Sequence, residues 1–381
     1  MQKILIIAGE ASGDLQGSLL LQHLKTHSVD LQFSGIGGPL MHQQGVDLLY
    51  SIDQMSFLGL WEVIRHLGTI RSIFNRIIDH VKTHQIRTAI LIDYPGFNLR
   101  LAHTLKKMNC RVIYYISPQL WAWGSNRAKK IKRRVDLLIV ILPFEKEFYQ
   151  RYGITAHFVG HPLIEKRQIT ADVEAFRLKY RIPADHRLIN LQPGSRMQEV
   201  SQLMPVFTQL IRRMMGFAPP CFFLIPRAST IPSTVLDGYL SDPSLPVRII
   251  ETDDYYSSLA VTNLVITASG TAGLESAIFE KPMAIVYKVN SITYWIAKRL
   301  IRIPYLGIAN IIAGKSVVPE YIQHELTVER LESFCHRMLT SPADYQAMKE
   351  ELHRIRLQLG EPGAASRAAD LIASFLEGSC H

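Results

Sequence analysis

Short apolar, β-branched runs recur along this chain at the spacing of a parallel sheet, and the series restarts halfway. Residues 3–8, 88–92, 111–116 and 136–142 are such runs, each bounded by turn residues and separated from the next by segments of helical periodicity. That alternation predicts βαβ units, because strands covered on both faces read as unbroken apolar runs. Residues 188–191, 221–225, 247–250, 264–267 and 283–286 form a second series. Between them, residues 159–176 lose strand patterning and turn polar, which predicts a domain boundary there. At 381 residues the chain also exceeds what one core usually organises. The expected fold class is α/β, with two doubly wound Rossmann-like domains facing across a cleft. The expected domains are 1–165 and 166–360, with a last helix at about 361–381 that packs back on the first domain.

The cysteines, Cys110, Cys221, Cys335 and Cys380, form no CxxC pair, which argues against a zinc knuckle or a disulfide framework and fits a reducing compartment. The N-terminal apolar run is too short for a signal peptide, and no run approaches the roughly 18 residues of a spanning helix. Lys plus Arg exceed Asp plus Glu by 42 to 33, a formal charge of +9. Such an excess suits nucleic acid, anionic lipid or a phosphorylated ligand. With no zinc-finger spacing, RNP-like aromatic motif or long basic block, no nucleic-acid partner is expected.

In a doubly wound domain, ligands sit at the carboxyl ends of strands. "LQPGSRMQEV", residues 191–200, is a strand, a turn and the start of a helix. There Gly194 and Ser195 let backbone N–H groups approach an anion, and Arg196 can fork onto phosphate oxygens. "ASGTAGLE", residues 268–275, repeats the logic. Ser269, Gly270 and Thr271 offer small residues and hydroxyls, and Glu275, one helical turn in, suits ribose hydroxyls. Neither loop is a Walker A motif, and no GxGxxG follows a strand. Asp253-Asp254 reads as a solvated turn, and no cluster has metal-ligand spacing. Chemistry without metal or cofactor is expected, with helix termini and cations meeting the charge of a leaving diphosphate.

Nine stretches occur in order: "IAGEASGD", "GIGGPLM", "LIDYPGFN", "YISPQLWAW", "LPFEKEFY", "VGHP", "PGSR", "ASGTAGLE" and "IANIIAG". Together they resemble the lipid-A-disaccharide synthase family, glycosyltransferases of the two-Rossmann (GT-B) architecture. The resemblance implies transfer of 2,3-diacylglucosamine from its UDP derivative to the 6-hydroxyl of 2,3-diacylglucosamine 1-phosphate, with UDP released. An α donor and a β product imply inversion, hence one displacement with a base on the acceptor side. The family's essential aspartate maps onto Asp93, at the end of the run 88–92. Glu10 is the other candidate base, and the sequence leaves open which of the two takes the proton. Arg196, Glu275 and Asn310 map onto donor-site residues. The turn with Gly9, Glu10, Ser12 and Gly13 is expected to meet the acceptor and the reacting sugar, its glycines letting the sugar approach the backbone. Rival readings are another GT-B enzyme, such as an undecaprenyl-linked N-acetylglucosaminyltransferase or a UDP-GlcNAc 2-epimerase, and a UDP-lipid binding protein without turnover.

Acylated substrates require an apolar surface. Phe57, Leu58, Leu60 and Trp61 beside Arg65 and His66 fit interfacial insertion, as does Trp295 in a basic amphipathic segment, residues 294–307. The net charge adds attraction to an anionic inner-membrane surface, so a cytoplasmic, peripherally attached protein is expected. Six Lys and Arg between 127 and 134 are candidates for the acceptor phosphate. A homodimer is compatible with all of this.

Overall fold

The apolar runs become strands of two all-parallel sheets, all but 247–250 in inner positions. The computed structural model describes residues 2–27, 30–54, 67–123, 128–289 and 304–378. In the first sheet, β1 (Gln2–Ala8), β2 (Leu31–Gly37), β3 (Asp47–Ser51), β4 (Thr88–Ile92), β5 (Arg111–Tyr115), β6 (Leu137–Val140) and β7 (Ala156–Phe158) take the order β3-β2-β1-β4-β5-β6-β7. In the second, β8 (Arg187–Gln192), β9 (Cys221–Pro226), β10 (Val247–Ile250), β11 (Leu264–Ala268), β12 (Met283–Tyr287) and β13 (Glu320–Ile322) take the order β10-β9-β8-β11-β12-β13. The chain divides into unit 1, residues 1–162 with 360–381, and unit 2, residues 163–359. No helix among the described residues is long and apolar enough to cross a membrane.

Strand alternation sends β1 into two cores. Ile4, Ile6 and Ala8 join Leu20, Leu21 and Leu24, while Leu5 and Ile7 join Ile73, Ile77 and Val81 on the other face. Each fully buried Leu or Ile contributes about 1.5–3 kcal/mol, so a strand apolar on both faces is held from both sides. The last helix, Ala364–Leu376, packs into the first of these cores through Ala368, Ala369 and Ile372. Arg111 ties it down by donating from Nη1 to the Phe375 carbonyl at 3.2 Å.

The strands β2, β3, β7 and β13, three of them at sheet edges, lie outside the apolar runs. β2, for example, reads LQFSGIG, with Gln, Ser and two glycines breaking the run. β5 ends at Tyr115 because Ile116 turns to a left-handed φ of 62°, an outlier for a β-branched residue.

Asp14, in the first turn of the helix Ala11–Leu24, is 2% exposed and welds two of the sequence motifs together. Its carboxylate accepts the N–H groups of Gly38, Leu40 and Met41 at 2.7, 3.1 and 3.0 Å, donors that the start of the helix Pro39–Gln43 leaves unpaired. Asp14→Ala should therefore cost about 3 kcal/mol by urea denaturation; an unchanged midpoint would show that the cap contributes nothing.

Candidate functional site

In unit 1, β1 and β4 are neighbours, with Ala8 opposite Ile92, yet their connections leave toward opposite sides of the sheet. Loops diverging from such a switch point leave a crevice at the strand ends. Gly9-Glu10 leaves one strand there and Asp93-Tyr94 the other.

Asp93 and Tyr94 both adopt left-handed backbone, with φ of 44° and 48°, to turn the chain into the helix Pro95–Lys107. Each such non-glycine residue costs about 1–3 kcal/mol, so neighbours must hold the pair. The Asp93 N–H donates to the Tyr115 carbonyl at 3.0 Å. Its own carbonyl accepts from Tyr114 Oη at 2.6 Å and Asn98 Nδ2 at 2.8 Å, and Asn98 Nδ2 also donates to the Ile92 carbonyl at 3.1 Å. Asn98 and Tyr114 are wholly buried. Burial pushes the Asp93 carboxyl up to about 6, and the charge of Glu10 adds to the rise. A carboxylate of that basicity can accept a proton near neutral pH.

The glycines of this turn differ from the expectation. A Cβ on Gly9 would lie 2.4 Å from ring carbons of Tyr94, and one on Gly13 would lie 3.2 Å from the Ala8 methyl. Both are small because protein packs against them, so neither opens the backbone to a sugar. Glu10 and Ser12 are exposed beside them.

In unit 2 the switch point lies between β8 and β11, where Gln192 is opposite Thr267. After β8 the turn differs from an open phosphate cradle. Glu199 Oε2 accepts the N–H groups of Ser195 at 3.1 Å and Arg196 at 3.3 Å. Gly194 has a left-handed φ of 98°, and a Cβ there would sit 2.2 Å from the same oxygen. The chain's own carboxylate therefore fills the place expected for a ligand anion. What remains free to a ligand is the Arg196 side chain, 79% exposed and 3.9 Å from Glu199.

After β11, Ser269 and the exposed Gly270 and Thr271 lead into the helix Thr271–Ile278, which carries no acidic residue in its first turn. Glu275 lies on this helix, and its two oxygens accept from Tyr255 Oη and Tyr256 Oη, each at 2.7 Å. Burial raises its pKa, opposed by those bonds and by Lys166. The tyrosine pair went unread in the sequence, where it follows Asp253-Asp254 some distance upstream.

Asn310 is fully buried and occupied by the chain itself. Its Nδ2 donates to the Val318 carbonyl at 2.9 Å and Glu320 Oε1 at 2.8 Å, and its Oδ1 accepts from the N–H groups of Val317 and Val318. Its side chain braces a loop, with both amide hydrogens and the amide oxygen engaged by the chain itself. Phe57, Leu58, Leu60, Trp61 and Trp295 lie outside the described residues. Of the basic stretch, Arg134 Nη1 donates to the Leu99 carbonyl at 2.9 Å.

The model of the lipid-A-disaccharide synthetase family matches residues 4–375. The lipid-A-disaccharide synthase of Trichlorobacter lovleyi is 37% identical over 378 residues, covering 99% of this chain and 98% of its own. That of Geobacter metallireducens is 37% identical over 375 residues, covering 98% and 97%. Among solved structures, UDP-GlcNAc 2-epimerase from Neisseria meningitidis bound to UDP-GlcNAc has a TM-score of 0.63 at 13% identity, covering 99% of this chain and 100% of that one. A calicheamicin glycosyltransferase has a TM-score of 0.62 at 14% identity, covering 99% and 98%. These structural likenesses establish the GT-B fold and nothing finer.

The Asp93 turn depends on Asn98, so Asn98→Ala, which takes a donor from the Ile92 and Asp93 carbonyls and leaves the second to Tyr114, should destabilise the protein by about 2 kcal/mol in urea unfolding. A loss below about 0.5 kcal/mol would mean that Tyr114 alone holds the turn.

Proposed function

We propose that this chain, which belongs to the lipid-A-disaccharide synthetase family and is a glycosyltransferase, carries out its transfer with Asp93 as general base. The donor is UDP-2,3-diacylglucosamine and the acceptor 2,3-diacylglucosamine 1-phosphate. The acceptor's 6-hydroxyl attacks the anomeric carbon as its proton passes to Asp93. The bond to the diphosphate breaks, UDP leaves, and the β-1,6 linkage forms with inversion.

One observation carries the choice of Asp93 over Glu10. The Asp93 carboxyl is the one that burial raises to about 6, so it is ionised at neutral pH yet basic enough to take a proton. Glu10, exposed across the switch point, acts through its charge by keeping Asp93 basic. In unit 2, Gly270, Thr271 and the helix start take the diphosphate, with Arg196 as the mobile cation. Glu275 takes ribose hydroxyls on the lone pairs that its two tyrosines leave open. The apolar residues of the segments 57–61 and 294–307 insert at an anionic membrane surface, where the acyl chains of the substrates lie.

Asp93→Asn should lower UDP release in the presence of acceptor by about 10³-fold while leaving UDP affinity unchanged. In the parent, kcat/KM should fall as pH drops below about 6, because protonated Asp93 cannot accept. Glu10→Gln removes one of the two effects that raise Asp93, so it should retain turnover and move that acid limb to lower pH. An inactive Glu10→Gln beside an active Asp93→Asn would exchange the two roles. Binding to vesicles rich in anionic lipid should weaken as salt is raised; salt-independent binding would remove the electrostatic part of the membrane proposal.

A further inference from the structure

Two neighbouring strands of the first sheet end in backbone that residues other than glycine rarely adopt. Ile92 of β4 lies opposite Tyr115 of β5. Beyond that pair, Asp93 and Tyr94 leave β4 with φ of 44° and 48°, and Ile116 leaves β5 with φ of 62°. The left-handed region is least favourable for Ile116, the β-branched residue of the three. Such a conformation persists only where its surroundings impose it, and residues held in this way gather at functional sites.

The helix Pro143–Gln150, which follows β6, supplies those surroundings. Glu145 on this helix is 1% exposed. Its Oε1 accepts from Ser117 Oγ at 2.8 Å and from Trp121 Nε1 at 3.3 Å, while Oε2 accepts the Leu142 N–H at 3.1 Å. Tyr149, one turn along and wholly buried, donates from Oη to the Pro118 carbonyl at 3.0 Å. The Leu142 bond is a helix cap that an exposed glutamate makes equally well. Burying the carboxyl is destabilising and the cap does not require it; what burial adds is the hold on Ser117 and Trp121.

That hold reaches the Asp93 turn. The Asp93 N–H donates to the Tyr115 carbonyl at 3.0 Å. This carbonyl and the Ile116 N–H belong to one planar peptide unit, so φ of Ile116 sets the direction in which the carbonyl points. Ile116 thus joins Ser117, which Glu145 fixes, to the peptide that fixes Asp93. We propose that Glu145 is a positioning residue for the transfer: its grip on Ser117 keeps Ile116 left-handed, which aims the Tyr115 carbonyl at the Asp93 N–H and so sets the direction of the Asp93 carboxyl. The proposal rests on the reading of Asp93 as the base. Because that reading gives the diphosphate and ribose to unit 2, the clasp governs turnover and leaves UDP affinity alone.

Steady-state UDP release with donor and acceptor, beside calorimetric titration with UDP, tests both levels on the full chain. Asp93→Asn with the parent's turnover overturns the base reading, and the proposal with it. With Asp93 required, Ser117→Ala should lower kcat about 10-fold and leave UDP affinity within about twofold, since a misaimed base affects the chemical step. Glu145→Met, which offers Ser117 no acceptor, should lose at least as much, and adding Ser117→Ala to it should cause no further loss. Glycine takes left-handed backbone without strain, so Ile116→Gly in the Ser117→Ala background should recover most of the lost kcat. Ile116 also packs on a core of unit 1, so a variant that was merely destabilised would turn over more slowly still with glycine there. The proposal is overturned if Ser117→Ala turns over like the parent, if it weakens UDP as much as it lowers kcat, or if Ile116→Gly deepens the loss. It is also overturned if Ser117→Ala lowers the residual turnover of Asp93→Asn by the same factor as in the parent, because the clasp then acts without Asp93.

Discussion

The reversal of strand order at one point in each sheet is the constraint on which the rest of the structure depends. From β1 the chain builds outward to β2 and β3, then crosses back to add β4 on the other side. From β8 it builds out to β9 and β10, then returns with β11. Among the described strands, β1/β4 and β8/β11 are the neighbours that send their loops apart, so there residues from two loops flank the strand ends. Glu10 and Asp93 follow one pair of strands, and Arg196 and Thr271 follow the other. Topology thus chooses the positions, and side-chain chemistry needs only to supply suitable groups there.

What each carboxylate does is then decided by how many donors face it. Asp14 accepts three backbone N–H groups and serves as a cap. Glu199 accepts two and closes a turn, while Glu275 accepts two phenols. Asp93 has a single backbone donor, Tyr94, against burial and the charge of Glu10, so burial and repulsion prevail and its carboxyl is raised. The strained turn contributes to this, because its hydrogen bonds from Asn98 and Tyr114 go to the Asp93 carbonyl. They fix the residue without neutralising its acid group.

The central strands and the loops after them were legible in the sequence because continuous burial writes itself as an apolar run. Edge strands such as β3, β7 and β13 were not, since solvent or loops on one side permit polar residues there. Asp93, Arg196 and Glu275 stood out by their place after a strand. Asn98, Tyr114 and Tyr255 did not, because their partners are fixed by tertiary contact and no local period records it. Gly9 shows the opposite failure: a glycine after a strand looked like an opening for ligand, and the Tyr94 ring fills it.

Glu199 bears most directly on where a diphosphate can sit. A carboxylate bonded to the Ser195 and Arg196 N–H groups already meets the positive end of the helix Met197–Arg213. A phosphate oxygen brought to about 4 Å from that carboxylate would be opposed by about 4 kcal/mol at the screening typical near a protein surface. That exceeds what one exposed guanidinium contact returns. The turn after β8 is therefore a poor cradle, despite reading like one. The turn after β11 carries no such internal anion, and its Gly270 and Thr271 are exposed. These energies favour, for the proposed diphosphate site, the turn before the helix Thr271–Ile278, with the exposed Arg196 side chain as the proposed cation. The same arrangement explains why Gly194 must be glycine: its left-handed backbone and missing Cβ make room for Glu199, and the phosphate plays no part in that requirement.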